Sequence, residues 1–163
     1  MKPRMEHWKI APGGYKAMSS LEAYLRESGI DKALLHMIKL RASQINGCAY
    51  CIDMHWKDAR AAGESVQRLY GLDAWREAAY YTDRERAALE WTEALTNITG
   101  GHVPEAVYDA ARGHFSEKEL ADLTWAVAAI NAWNRVAIAF RSEAGTYKPR
   151  GARVSGVFVT SRV

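Results

Sequence analysis

Cysteine is scarce in this sequence: there are two, Cys48 and Cys51, in 163 residues. A fold stapled by several disulfides is thereby excluded, and in a reducing compartment a lone pair of thiols points to catalysis or metal binding. Long apolar runs are also missing. None reaches the length of a membrane span, and Met1 to Glu6 lack the apolar segment of a signal peptide. The expectation is a cytoplasmic protein with no membrane partner. Charge of one sign does not accumulate either. Lysine and arginine are spread along the chain beside 19 acids for a net charge of +3, so no basic stripe offers itself to nucleic acid. Internal repeats, low-complexity tracts and convincing linkers are absent from the sequence. At 48% hydrophobic residues, the chain suffices for one domain with a real core, 1–163, and is short for two.

What is present concentrates in Cys48-Ala49-Tyr50-Cys51-Ile52-Asp53-Met54-His55. If 48–64 is a helix at about 100° per residue, Cys48, Cys51, His55, Ala59 and Ala62 share one face, while Asp53, Lys57, Arg60 and Glu64 share the opposite one. The charged face turns to water, and the thiols and imidazole turn inward. Asn46-Gly47 is a turn signal that sets Cys48 near the helix N-terminus, where the first N–H groups favour a thiolate. His55 follows Cys51 by one helical turn and can take its proton. This spacing casts Cys51 as the attacking thiolate, His55 as its base and Cys48 as the thiol that resolves the oxidised sulfur into a disulfide.

Other readings of the motif exist. Two cysteines and a histidine could ligate zinc, but the usual second pair of ligands is absent, so no metal is expected. Covalent haem attachment needs histidine where Ile52 stands. A thioredoxin-like motif would follow a strand, whereas the preceding segment has helical period. Two buried, inert thiols beside a satisfied histidine is the structural alternative.

Along the chain, 1–14 reads as an irregular arm with Pro3, Pro12 and Gly13-Gly14. A first helix over 15–27 ends at Gly29. Asp31 caps a second, whose apolar face of Leu34, Leu35, Ile38, Ala42 and Ile45 is broadened by Met37 and Leu40, which implies burial on more than one side. His36 shares a strip with Leu40 and Ser43 away from the main apolar face. It is either a partly exposed helix residue or a second proton-relay group facing His55. Short helices are expected over 65–70 and 73–79, with Trp75 and Tyr80-Tyr81 as core or interface aromatics. Thr82-Asp83-Arg84-Glu85 opens a further helix that ends near Gly100-Gly101, with His102 at the surface. A proline-started helix over 104–112 ends at Gly113. Ser116-Glu117-Lys118-Glu119 caps the longest helix, to about Glu143, apolar nearly all round and carrying an Arg135 that needs a carboxylate partner if buried. The last segment, 145–163, with the β-prone run Val157 to Thr160, reads as a flexible tail or an arm over a neighbouring subunit. The sum is an all-α bundle of about six to eight helices with a core over 15–144.

The run from Lys39 to His55, followed by Lys57-Asp58-Ala59-Arg60, resembles the core of AhpD-like alkylhydroperoxidases of the carboxymuconolactone decarboxylase superfamily, and Ile130-Asn131-Ala132-Trp133-Asn134-Arg135 resembles that family's final core helix. The resemblance implies an all-α fold assembled into trimers or hexamers, and a cofactor-independent thiol peroxidase acting on organic hydroperoxides. It implies that Cys51 meets the peroxide, Cys48 resolves, and His55 relays protons, in agreement with the roles assigned by spacing. A relay glutamate of the family, twelve residues before the first cysteine, is replaced by His36, and a histidine some members carry before the second cysteine is replaced by Tyr50. A dihydrolipoamide-type or thioredoxin-type dithiol is the implied reductant. Lactone decarboxylation with His55 as base and a redox-sensing or metal-binding helical module are the alternative functions.

Overall fold

The computed structural model describes residues 2–149. Among them are eight α-helices and two short 3₁₀ turns, with no strand. The helices are α1 (His7–Ile10), α2 (Pro12–Glu27), α3 (Lys32–Asn46), α4 (Ala49–Ala61), α5 (Val66–Tyr70), α6 (Asp83–Thr96), α7 (Glu105–His114) and α8 (Glu117–Phe140); the 3₁₀ turns are Gly71–Ala74 and Ile98–Gly100. The fold is all-α, as the periodicity and the resemblance imply. No helix among the described residues is long and apolar enough to cross a membrane.

Helix α3 is the hub, packed against α4, α6 and α8 at once. Its breadth of apolar residues explains this role. Leu34, Leu35 and Ile38 enter the main core with Ala88, Trp91, Leu123 and Val127, whereas Met37 and Leu40 enter a second core with Leu69, Leu72, Trp75 and Tyr81. Each fully buried side chain of this size contributes about 1.5–3 kcal/mol. The strip holding His36, Leu40 and Ser43 is correspondingly not a solvated one: Leu40 and Ser43 are fully buried.

Caps mark most boundaries where the sequence puts them. The Asp31 carboxylate accepts from the Leu34 N–H at 2.9 Å, and both capping boxes form, at Thr82/Glu85 and Ser116/Glu119. Several expected boundaries are corrected. Residues 7–10 and 12–14 are helical rather than an irregular arm, because Pro12 presets the first turn of α2 and that turn's N–H groups need no intrahelical partner. The expected helix over 73–79 is a 3₁₀ turn followed by turns. Helix α6 stops at Thr96, before the 3₁₀ turn, and α7 runs through Gly113 to His114. Ala62 is exposed, since α4 ends at Ala61. Arg135 is exposed and has no carboxylate partner among the described residues; its guanidinium donates to the Asn131 backbone and side-chain oxygens at 2.8 and 3.0 Å.

The chain ends described here close on their own bundle. The Arg4 side chain and backbone donate to the last carbonyls of α8, at Ala139 (2.8 Å) and Phe140 (3.0 Å), offsetting the partial negative charge at that helix end. Residues 145–147 lie on α4: the Gly145 N–H donates to Asp53, Lys57 donates to the Gly145 and Tyr147 carbonyls, and the Tyr147 hydroxyl donates to Asp58 at 2.7 Å. This part of the C-terminal segment is therefore tied to its own α4 rather than a free tail. The β-prone run Val157 to Thr160 lies outside the described residues.

Candidate active site

The turn between α3 and α4 sets the position of the first thiol. Gly47 adopts the left-handed conformation (φ 68°), its N–H bonding to the Gln44 carbonyl at 3.1 Å and the Cys48 N–H to the Ser43 carbonyl at 3.0 Å. This pair of bonds closes α3 and drops Cys48 at the N-cap of α4. Cys51, one turn on, faces the same way. The sulfurs are 2.9 Å apart as free thiols, each residue only 1% exposed, with Ala42, Ile130 and Ala137 around them and Tyr50 and Trp133 at the edge.

The two thiols are electrostatically unequal. Cys48 is lowered to about 7, first because the Cys51 thiol donates to it; burial opposes this, while the backbone N–H groups of Cys51 and Tyr50 and the Asn134 amide favour the thiolate. Cys51 is raised, because it donates to Cys48, is buried, and faces the negative charge that Cys48 acquires. Of the two sulfurs, the one at the helix N-cap, Cys48, is the more favoured as thiolate. Spacing alone pointed to Cys51 as the thiolate.

Asn134 is held by a polar chain threading an otherwise apolar region. It accepts from Asn46 at 2.8 Å and donates to the Ser43 hydroxyl at 3.1 Å, while Asn46 also donates to Asn131. The amide that steadies the thiolate is thereby fixed by α3 and α8 together.

One turn beyond Cys51, His55 is 6% exposed and its Nδ1 has no hydrogen-bond partner. Burial pushes its imidazole well below the usual range, and Lys39 and then His36 add to the effect. The ring is neutral near pH 7. His36, on α3, brings its ring centroid to 6.1 Å from that of His55, and its Nδ1 is likewise without a partner. His36 is thus half-buried and its ring lies beside that of His55. Burial lowers His36 too, with Asp58 pulling the other way. Lys39, also buried, is held by Glu22 at 2.5 Å.

The four residues expected at the site, Cys48, Cys51, His55 and His36, are thus brought to one α3–α4 seam. Sequence reasoning missed Asn134, Lys39 and Asp58. Two signals were available: Asn131 and Asn134 interrupt an apolar helix at adjacent-turn spacing, and Asp58 follows His55 by three positions on the same helix. His36, His55 and Asp58 each offer one donor atom, all within 4.8 Å of one another. The surface clefts near Trp91 and Tyr108 and near Arg76 and Glu90, about 240 and 260 Å³, lie away from the thiols.

Comparison with known proteins places the fold. The family model of the carboxymuconolactone decarboxylase family matches residues 12–94, covering α2 through most of α6. The chain belongs to the carboxymuconolactone decarboxylase family. This family member is 43% identical over 146 residues to the uncharacterised protein YdfG of Bacillus subtilis (strain 168), which covers 90% of the chain and 99% of YdfG. It is similar in structure to a protein of unknown function from Agrobacterium tumefaciens for which an antioxidant defence role, as AhpD, has been suggested, with TM-score 0.86, 43% identity and coverage of 90% and 100% of the two chains. The debrominase Bmp8 shares the fold at TM-score 0.74 and 20% identity, covering 85% of this chain and 74% of its own. A decarboxylase family name, an antioxidant suggestion and a debrominase on one scaffold mean that the reaction must be argued from the site.

Proposed function

We propose that this carboxymuconolactone decarboxylase family member is a thiol peroxidase that reduces organic hydroperoxides through a Cys48/Cys51 dithiol–disulfide cycle. The observation that carries the reading is the buried thiol pair at 2.9 Å, with a thiolate favoured at the helix N-cap, the His55 imidazole one turn beyond Cys51 and the His36 ring 6.1 Å from that of His55. In the cycle, His55 accepts the Cys51 thiol proton and Cys51 attacks the distal peroxide oxygen. The O–O bond breaks, the alkoxide leaves with the proton returned by His55, and Cys51 becomes a sulfenic acid. The Cys48 thiolate then attacks that sulfur, hydroxide leaves as water with a proton relayed through His36 and His55, and the disulfide closes. Two electrons have passed from the dithiol to the peroxide. An external dithiol, of the dihydrolipoamide or thioredoxin type, restores the thiols.

The lower proton affinity of Cys48 favours one variation on this cycle, in which Cys48 attacks and Cys51 resolves. Single-turnover trapping separates the two. With Cys51 as attacker, Cys48→Ser protein treated with one equivalent of an organic hydroperoxide accumulates a sulfenic acid at Cys51, and Cys51→Ser protein accumulates none. The reverse pattern exchanges the roles. Absence of peroxide consumption by reduced wild-type protein with excess dithiol overturns the peroxidase reading. The reading also includes a cytoplasmic setting and a homotrimer or homohexamer; exposed Trp8, Ile10, Trp56, Trp125 and Ile138 favour self-association.

A further inference from the structure

The geometry points to a divalent transition-metal site formed by His36, His55 and Asp58 on the seam between α3 and α4. Two imidazoles and one carboxylate, each giving one donor atom, lie within 4.8 Å of one another. Donors around a single ion at about 2.0–2.2 Å stand about 3–4 Å apart, so side-chain movement of about 1 Å or less closes the group on a cation. His55 and Asp58 are spaced to project from one face of α4, and His36 approaches from α3. The arrangement joins two rigid helices rather than loops.

A second observation concerns the rings themselves. Each imidazole buries its Nδ1 without a hydrogen-bond partner among the described residues, and His55 is 94% buried by its 6% exposure. A buried, unpaired nitrogen lone pair is unfavourable, and a neutral imidazole is the form that ligates metal. Asp58 is oriented from outside by the Tyr147 hydroxyl at 2.7 Å, the kind of supporting contact that ligating carboxylates have. The nearby cation Lys39 is paired with Glu22, which limits its repulsion of an incoming ion. Two nitrogens and one oxygen select a borderline cation such as Zn²⁺, Co²⁺, Ni²⁺ or Fe²⁺ over Mg²⁺ or Ca²⁺, with the remaining positions taken by water. His36 and Asp58 are only half-buried, so the ion has an entry path.

The site has a consequence that rests on the peroxidase reading: a cation holding the His55 lone pair takes away the proton relay and slows peroxide reduction. Metal binding itself is independent of that reading and is read without turnover. Chelator-treated, reduced protein is titrated with Co²⁺ and followed by visible absorbance, and with Zn²⁺ by calorimetry. One equivalent per chain is expected, with at least about a tenfold loss of affinity in each of Asp58→Asn and His36→Gln, and binding retained in the Cys48→Ser/Cys51→Ser double variant. Circular dichroism of each variant verifies that it is folded. Failure of wild-type protein to bind either ion, or unchanged affinity in both folded ligand variants, overturns the site. A sulfur-to-cobalt charge-transfer band that disappears in the double cysteine variant together with the binding overturns it as well, by moving the metal to the thiols. Bound metal with no effect on peroxide turnover leaves the site standing and removes only its inhibitory consequence.

Discussion

Two successive turns of α4 bury functional side chains on the same face and treat them oppositely. At the first turn, the Cys51 thiol lies against Cys48, and helix N–H groups and the Asn134 amide add to its effect, so that a buried thiol becomes more acidic than an exposed one. Beyond Cys51, the N–H groups are used within the helix, and burial, with Lys39 and then His36 adding to it, holds the His55 imidazole neutral. Burial acts on both; the difference lies in whether donors are supplied. A helix start can keep a charge in a dry core, and the next turn cannot. The chemistry proposed here uses both halves, an anion at one and an uncharged proton acceptor at the other.

The largest expected break in this arrangement is Cys51→Ser, which should lower steady-state peroxide consumption by at least about a thousandfold, measured with excess dithiol; activity within tenfold of wild type would refute Cys51's place in the cycle. Next comes His55→Leu. Turnover should fall about a hundredfold, while the urea midpoint stays level or rises, because an apolar side chain replaces a buried nitrogen without a partner. A large loss of stability in that variant would mean that the ring is satisfied in solution.

The thiolate half is sharpened by Asn134→Ala. Wild-type thiolate absorbance should rise through a midpoint of about 7 as pH increases. Removing a donor that favours the anion must move that midpoint upward, and the loss of the Asn46 and Ser43 partners should cost about 1–3 kcal/mol. A midpoint that stays put would show the helix N–H groups and Cys51 to suffice. The smallest effect is expected from Tyr147→Phe, about 0.5–1.5 kcal/mol or less, together with faster amide exchange over residues 145–147 and no shift of the thiolate midpoint. A shifted midpoint would couple the C-terminal segment to the thiols and blur the separation of the two halves.

Much of the site was legible because it is local. The interval between Cys48 and Cys51, the turn at Gly47 and the step to His55 lie within one turn-and-helix unit, whose geometry follows from helical repeat alone. His36 was open at that level, since the turn at Asn46-Gly47 hides the angle between α3 and α4. The inequality of the thiols was not legible: it depends on Asn134, which is remote in sequence, and on the contact between the sulfurs. The burial of Lys39 was not legible either, since it depends on pairing with Glu22 of α2. The expected helix over 73–79 failed for a related reason, because Trp75 is turned into the second core and donates to Glu93 of α6 at 2.7 Å.

The sequence by itself determined the all-α class, the capped starts of α3, α6 and α8, and the presentation of two thiols and a histidine on one face of α4. These depend on side-chain period and on neighbours within a few residues. Only the tertiary structure brought Asn134 to the thiols, His36 to His55 and Asp58, and residues 145–147 onto α4. Each of these depends on groups separated by many residues in the chain, whose distances and desolvation do not exist until the helices pack.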